Sequence, residues 1–275
     1  MSSAPKVCLL IPYFDADAGL LTALSSVESD SLLPDVCVVD DGSQRVPARD
    51  VLARYTGPLS VHLIELPRNL GIEHALNAGL DYCIDRYPYI ARLDCGDRNI
   101  GQRLAKQLAY LEDHPDHALI GGWANFVDLD GRLLFTLKHP VDARAIRKRI
   151  FLNAPFTHPA VMMRSAALKE VGFYPDNYPA AEDLALFFKI VRKYPTANLP
   201  YPVVMCEVNP DGISTVRRKT QIKSRIRLIL HNFDGSFMAF VGFVRGVVTY
   251  CLPRGFTIFF NRVRSIIRRG KGGPR

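Results

Sequence analysis

The chain has 275 residues, and 48% of them are hydrophobic, which suits one large domain with or without an appendage and excludes a mainly disordered protein. Its six cysteines are scattered without CxxC spacing, which indicates small core residues in a reducing cytosol. The formal charge of +8 arises late in the sequence, because fourteen Lys and Arg residues but one acid occur from Arg217 onward. Such a basic end favours a polyanionic partner, either anionic lipid or nucleic acid.

Apolar runs and segments of helical spacing alternate through the first part of the chain. Strands are predicted over 7–14, 36–39, 60–66 and 87–93, and helices over 20–27, 47–55, 71–84 and 101–111. We expect Pro12 to end the first strand, and no secretion signal, because the apolar stretch that follows MSSAPK is too short. Four strand–helix units predict an α/β fold with a parallel sheet and right-handed crossovers.

The residues that follow each strand should line the crevice in which ligands bind in open α/β sheets. They are Pro12, Tyr13, Asp40, Asp41, Arg68, Asn69, Asp94 and Asp97. The sequence contains neither a GxGxxG turn nor a P-loop. Several carboxylates with few glycines favour a nucleotide diphosphate that is held through a bridging divalent cation. On the stretch ARLDCGDRNI alone, a solvated turn is an equally good interpretation.

The alternation ends near residue 122. The segment WANFVDLDGRLLF predicts a β-hairpin with its turn at Asp130-Gly131, and FTHPAVMMR over 156–164 predicts another strand. Residues 181–194 predict an amphipathic helix with Glu182 and Asp183 in its first turn. A helix N-terminus favours acids on electrostatic grounds alone, so a purely structural role for this pair stays open.

Six motifs, in this order, resemble the family 2 glycosyltransferases of the GT-A fold over about residues 6–215. They are LLIPYF at 9–14, VVDDGS at 38–43, RNLGIEHALNAGL at 68–80, ARLDCGD at 91–97, HPAVMMR at 158–164 and AED at 181–183. The resemblance implies a Rossmann-like catalytic domain over 1–216, in which helices flank a mostly parallel sheet. Its nucleotide-binding half would span about 6–122 and its acceptor half about 123–216.

The resemblance also implies inverting transfer from a UDP- or dTDP-linked sugar to a glycan or glycolipid. Tyr13 and Asp41 match positions that contact the base, and Pro12, Asp40, Arg68 and Asn69 lie in the same donor motifs. Asp94 and Asp97 match the segment that holds ribose, diphosphate and a Mg²⁺ or Mn²⁺ ion, and Asp183 matches the catalytic base. Trp123, His158 and Glu182 are weaker candidates for acceptor contacts. Core packing for Trp123 and a structural, strand-capping role for His158 stay open.

Gly96 departs from the commoner DADD form of this segment, in which the third residue is an acid. Glycine has no side chain to coordinate metal, so either Asp94 or Asp97 takes over the contact or metal dependence is weaker. The DxGD form resembles bacterial members, some of them rhamnosyltransferase-like. The missing acid also keeps open a non-catalytic binding or scaffold protein.

The segment 217–275 predicts a basic amphipathic helical tail. One apolar stripe comprises Phe237, Phe240, Val241, Val244 and Val248, and a second comprises Phe256, Phe259, Phe260, Val263, Ile266 and Ile267. Neither apolar run reaches the ~20 residues of a spanning helix. We therefore expect a peripheral protein on the anionic cytoplasmic face of the cell membrane, with a lipid-linked or lipopolysaccharide acceptor. Packing of the tail on the domain, with a soluble acceptor, is the alternative; no nucleic acid is expected, because no nucleic-acid-binding module is recognised.

Overall fold

The computed structural model describes residues 6–208 and 218–251, and in these ranges the chain forms a nine-stranded sheet with helices on both faces. The first half contains β1 (Val7–Tyr13), β2 (Asp35–Asp40), β3 (Val61–Glu65) and β4 (Tyr89–Arg92). Helices α1 (Asp17–Val27), α2 (Ala48–Leu52) and α3 (Ile72–Cys83) connect them. The four strands pair in parallel in the order β3-β2-β1-β4, as the alternating pattern predicts.

The second half is mixed in strand direction. It contains β5 (Arg98–Asn99), α4 (Arg103–Asp113), β6 (Leu119–Val127), β7 (Leu133–Leu137), α5 (Ala143–Arg149), β8 (Met162–Arg164), α6 (Ser165–Val171), α7 (Glu182–Lys193) and β9 (Thr196–Glu207). The sheet order continues β4-β8-β6-β9-β5, and the predicted hairpin is formed by β6 and β7. Because β8 runs antiparallel to both β4 and β6, the first run of parallel pairs ends at β4, and parallel pairing resumes only between β6 and β9.

Two local predictions differ from the structure. The first strand continues through Pro12 to Tyr13, because β4 pairs with β1 only as far as Leu10 and the missing N–H of Pro12 faces that unpaired side. The predicted strand over 156–164 is reduced to β8, because His158–Ala160 forms a 3₁₀ turn with Pro159 inside it.

Alternate residues of the central strands pack into two cores on opposite faces of the sheet. Val7, Leu9 and Ile11 of β1 face one core, whereas Cys8 and Leu10 face the other. All five are buried. This double burial explains why the strand reads as a continuous apolar run, and it makes the central strands rigid supports for whatever follows them.

Two further helices, α8 (Arg218–His231) and α9 (Phe237–Cys251), pack on the second of these cores. The buried face of α9 is made of small residues, Ala239, Gly242 and Gly246. The predicted apolar stripe therefore faces outward, and Phe237 and Phe240 are 71% and 57% exposed. The helix α9 thus combines the two alternatives predicted for the tail, because it packs on the domain and also exposes an apolar face. The second predicted stripe lies outside the described residues. Among the described helices, none has the length and apolar character to span a bilayer.

Candidate active site

Two cavities open beyond the carboxyl ends of the parallel strands and meet at Asp94, which lines both. The first cavity has a volume of about 470 Å³ and the second of about 650 Å³. The first is lined from the parallel half of the sheet, and the second mainly from the hairpin, the 3₁₀ turn and β9. Asp94 is thus the point at which a group bound in one cavity faces a group bound in the other.

The first cavity is lined by Pro12, Tyr13, Asp41 and Asn69, four of the predicted donor residues. The Tyr13 hydroxyl donates to the Val46 carbonyl at 2.6 Å, and burial raises its pKa to about 12. The Asp41 carboxylate accepts from the backbone amides of Leu70 and Gly71 at 2.8 and 3.0 Å. Burial nevertheless raises the pKa of Asp41. These bonds hold the loop before α3 against the end of β2 and shape the cavity floor.

Two predicted donor residues, Asp40 and Arg68, lie outside this cavity. Both oxygens of Asp40 are occupied, because they accept from the backbone amides of Ser43 and Ala48 at 2.8 Å each. Arg68 is exposed, and its backbone passes Gly42 so closely that a Cβ on Gly42, whose φ is +69°, would lie 2.3 Å from the Arg68 carbonyl carbon. Both residues therefore serve in the structure to build the loops that surround the cavity.

Asp94 is oriented by Arg92, a wholly buried arginine in β4 that the sequence analysis did not single out. The Arg92 guanidinium donates to Asp94 at 2.5 Å and to the Leu10 carbonyl at 2.6 Å. Its Nε lies 3.4 Å from Nε2 of His158. An arginine inside an apolar strand is the signal that was available in ARLD, since such a charge is buried only when partners compensate it.

Asp97 is buried and lines the second cavity, where it accepts from the Glu207 amide at 3.3 Å. Burial and then the charge of Asp94 raise the pKa of Asp97 to about 7. The buried Asp97 carboxylate, together with Asp94, fits a Mg²⁺ or Mn²⁺ ion that takes its other ligands from phosphate and water. In the described part of the chain, no three His, Cys, Asp or Glu side chains converge to hold a metal by themselves.

Gly96 has a φ of +89°, a conformation that L side chains rarely adopt. A Cβ at this position would meet no atom within 4 Å, so the backbone conformation, and not crowding, favours glycine. Gly96 lines neither of the two main cavities; it borders a smaller crevice beside the hairpin turn. The acids that remain for a cation in this segment are therefore Asp94 and Asp97.

The adjacent acids at the start of α7 face different cavities. Asp183 lines the second cavity, accepts from the Leu184 amide at 2.6 Å, and has its pKa raised by burial. Glu182, a predicted acceptor residue, lines the first cavity together with the predicted donor residues Tyr13 and Asp41. Its Oε2 is buried without a hydrogen-bond partner, and burial followed by the Asp183 charge raises its pKa to about 7.

The other acceptor candidates separate in the same way. His158 lines the second cavity, and its Nε2 lies 2.8 Å from the Tyr174 hydroxyl. Burial and the nearby Arg92 lower the pKa of His158 to about 3, so the ring is neutral. Trp123 lies outside both cavities: its indole N–H donates to the His139 carbonyl at 3.0 Å, and Lys138 lies over its ring. The position of Trp123 therefore agrees with a packing role.

The second cavity also depends on β9, which the sequence analysis did not predict. Cys206 and Glu207, at its end, line the cavity beside Asp97. The segment TANLPYPVVMCE contains two prolines, which reads as a loop in sequence. The structure tolerates both prolines because the pairing of β9 with β6 is irregular on either side of Trp123.

A protein-family model described as Glycosyl transferase family 2 matches residues 8–172, more than half of the chain. The amylovoran biosynthesis glycosyltransferase AmsE of Erwinia amylovora is 29% identical over 242 residues, which cover 87% of this chain and 88% of AmsE. An Escherichia coli enzyme, UDP-Gal:alpha-D-GlcNAc-diphosphoundecaprenol beta-1,3-galactosyltransferase, is 24% identical over 274 residues, 96% of this chain and 98% of that protein.

Two solved structures share the fold. Residues 1–349 of S. aureus TarS in complex with UDP-GlcNAc give a TM-score of 0.69 at 16% identity, covering 92% of this chain and 75% of that one. The mannosyltransferase PcManGT of Pyrobaculum calidifontis, in complex with GDP-Man and Mn²⁺, gives 0.65 at 17% identity, covering 99% and 77%. This likeness confirms the fold class predicted from the sequence.

Proposed function

The chain belongs to glycosyl transferase family 2 and is a GT-A-fold glycosyltransferase, and we propose that it transfers one sugar, with inversion, from a nucleotide sugar to a lipid-linked glycan. The observation that carries the proposal is the position of Asp94 between the two cavities, with Asp183 in the second. A donor in the first cavity would direct its anomeric carbon past Asp94 towards an acceptor beside Asp183.

The proposed chemistry is a single displacement. Asp183 removes the proton from an acceptor hydroxyl as that oxygen forms a bond to the anomeric carbon, and the bond from this carbon to the nucleoside diphosphate breaks. The burial that raises the pKa of Asp183 makes the carboxylate a stronger base than an exposed aspartate. Arg92 supports the reaction indirectly, because it holds Asp94 in position at the junction.

Asp94 and Asp97 are the residues that would hold the divalent cation. When bound, a Mg²⁺ or Mn²⁺ ion supplies positive charge against the diphosphate of the donor. PcManGT, which shares the fold, was solved in complex with GDP-Man and Mn²⁺. The raised pKa of Asp97 supports the same assignment, because a nearby cation would offset the burial of its charge.

We propose a UDP- or dTDP-linked donor. The name of the E. coli relative specifies UDP-Gal, and TarS was solved with UDP-GlcNAc. In this chain Tyr13 and Asp41 are the base-contacting candidates of the first cavity. The same relative acts on a diphosphoundecaprenol-linked sugar, which supports a lipid-linked acceptor for this chain.

The outward face of α9 supports the proposal that this protein acts at a membrane surface. Its exposed residues Phe237, Phe240, Val244, Val247 and Val248 form one apolar face. Basic side chains flank it: Lys219, Lys223 and Arg227 lie on α8 beside Tyr250, and Arg245 lies on the other edge of α9. An apolar face between cationic edges matches the interior and the headgroups of an anionic bilayer. We propose that α9 rests on the cytoplasmic face of the cell membrane.

The test is the variant Asp183→Asn, with transfer from a panel of UDP-, dTDP- and GDP-sugars measured on purified protein. We expect transfer to fall by about 10²–10⁴-fold, the usual contribution of a positioned general base. Binding of UDP with Mn²⁺, measured by thermal shift, should stay unchanged, because Asp183 lines the second cavity only. The matched control is Asp176→Asn, which removes an exposed carboxylate just before α7.

Substantial turnover by Asp183→Asn would remove this residue as the base. A complete lack of transfer and of donor hydrolysis by the wild-type protein across the panel would overturn the enzymatic proposal. That outcome would favour the non-catalytic binding protein that the missing acid at position 96 suggested.

A further inference from the structure

Arg149, the last residue of α5, lies in the wall of the second cavity together with Asp183. Its Nε is buried and has no hydrogen-bond partner, and one of its terminal nitrogens lies 3.3 Å from the side-chain amide of Asn153. No carboxylate in the described part of the chain forms an ion pair with Arg149. A partly buried guanidinium without a protein anion favours a ligand that supplies negative charge.

His139 and Arg149 form one polar end of this cavity. The Nε2 of His139 lies 2.8 Å from the Thr157 hydroxyl, while its Nδ1 is buried without a partner. Burial and then the charge of Arg149 lower the pKa of His139 to about 4. A neutral imidazole leaves Arg149 as the cation at this end of the cavity. His139 and Arg149 therefore line the same cavity, and each has a buried nitrogen without a partner.

Two more arginines contact the backbone next to the lining residue Asn153. Arg225 of α8 donates to the carbonyls of Phe151 and Leu152, and Arg245 of α9 donates to the Leu152 carbonyl at 3.2 Å. Burial, followed by repulsion from Arg245 and Arg149, lowers the pKa of Arg225 to about 10. Arg225 therefore lies near both of the other arginines, and an anion at Arg149 would gain from this positive charge.

The cavity is therefore polarised. Asp94, Asp97 and Asp183 supply negative charge where the sugar is transferred, and Arg149 supplies positive charge at another part of the wall. We propose that Arg149 binds the phosphate that joins the acceptor sugar to its lipid. This inference rests on the proposed function, and it names the acceptor group that the second cavity selects.

A phosphate is favoured over a sugar carboxylate by what lies beyond Arg149. Arg225 and Arg245 both donate to the Leu152 carbonyl, three residues after Arg149, and Arg245 belongs to α9, whose outward face is apolar. A diphosphate followed by a hydrocarbon chain matches this succession of cations and apolar surface, whereas a sugar acid inside a soluble glycan offers no apolar continuation. Arginine also suits phosphate, because its planar group donates two parallel hydrogen bonds.

The test measures binding directly, so that it does not depend on turnover. Wild-type protein, Arg149→Gln, Arg149→Lys and Lys148→Gln are titrated with geranyl diphosphate in the presence of saturating UDP and Mn²⁺. Lys148→Gln is the matched control, since it removes an exposed charge from the same helix. Thermal unfolding of each variant shows whether the fold is kept.

We expect Arg149→Gln to weaken geranyl diphosphate about ten- to a hundredfold, which corresponds to one or two lost hydrogen bonds to a charged group. Arg149→Lys should recover part of the affinity, and Lys148→Gln should retain all of it. Equal affinity of wild type and Arg149→Gln, or no binding by folded wild type, would overturn the proposal. A glucuronate-bearing glycan whose binding depends on Arg149 while geranyl diphosphate binding does not would overturn it as well. Because these titrations need no transfer, their failure is distinct from failure of the proposed function.

Discussion

At the residue scale, Arg92 is the side chain on which the junction of the two cavities depends. It is wholly buried, and its guanidinium joins β1, Asp94 and His158. Arg103 lies next to it, with its own guanidinium donating to the Arg92 carbonyl at 2.7 Å. Burial lowers the pKa of Arg103 to about 9. A buried network of this kind is stabilising only while every member keeps its partners.

Replacing Arg92 by methionine should destabilise the fold by about 3 kcal/mol or more, because the Leu10 carbonyl and Asp94 would lose their buried donor. The free energy of unfolding is measured by urea denaturation. The control is Arg98→Met, which removes an exposed arginine from β5. A loss for Arg92→Met no larger than that of the control would show that the network is not needed for stability.

Among the helices, α9 buries its small residues and exposes its large apolar ones. Close approach on its buried face requires glycine: a Cβ on Gly242 would lie 2.2 Å from the Phe151 carbonyl oxygen, and one on Gly246 would lie 2.8 Å from Ile226. The large apolar residues are consequently left on the outside. A contiguous exposed apolar face on a well-packed helix indicates an interaction surface, and the cationic edges favour anionic lipid.

The double variant Phe237→Ser/Phe240→Ser should bind anionic vesicles at least about tenfold more weakly, because each phenylalanine contributes roughly 1–2 kcal/mol when its exposed surface enters the bilayer. Co-sedimentation with phosphatidylglycerol vesicles measures the binding. Leu133→Ser/Leu134→Ser is the matched control, since these leucines of β7 are exposed to a similar extent. Unchanged binding of the α9 variant would place the lipid-binding surface elsewhere.

At the scale of the whole molecule, the fold contains ionisable groups whose pKa values move in opposite directions. Burial raises the pKa of Asp97, Glu182 and Asp183, so acid alone would favour their folded forms. Burial lowers the pKa of His139 and His158, so acid opposes folding at these two sites. Acid stability is therefore a difference between the two groups, and single variants are needed to separate them.

His139 allows this separation because its folded pKa of about 4 lies below an unfolded value near 6.5. Below the unfolded value the unfolded chain binds a proton that the folded chain refuses, so stability is lost as the pH falls from about 6.5 towards 4. Between pH 7 and 5 the wild type should lose about 2 kcal/mol more than His139→Gln. Urea denaturation at both pH values measures the difference, and exposed His231→Gln should behave as wild type. Equal losses in wild type and His139→Gln would contradict a neutral, buried His139.

Much of the parallel half of the fold was predictable from local pattern. Apolar runs, helical spacing and the hairpin turn at Asp130-Gly131 depend on neighbouring residues, and the corresponding elements are present. The acids at the strand ends were also predictable, because parallel strands bring their carboxyl ends to one edge. The strand β9 was not predictable, because its stability comes from pairing with β6, which is distant in sequence and comes close to β9 only in the folded chain.

The kind of site follows from the amino-acid order alone: a set of carboxylates at the ends of buried strands, in the order of a known family. The use of those groups depends on the folded chain. In the folded chain, Asp40 accepts from backbone amides, Glu182 and Asp183 line different cavities, and Arg92 donates to Asp94. Folding also buries the small face of α9. The physical reason is that side-chain periodicity is local, whereas the partner that satisfies a buried charge comes from segments brought together by folding.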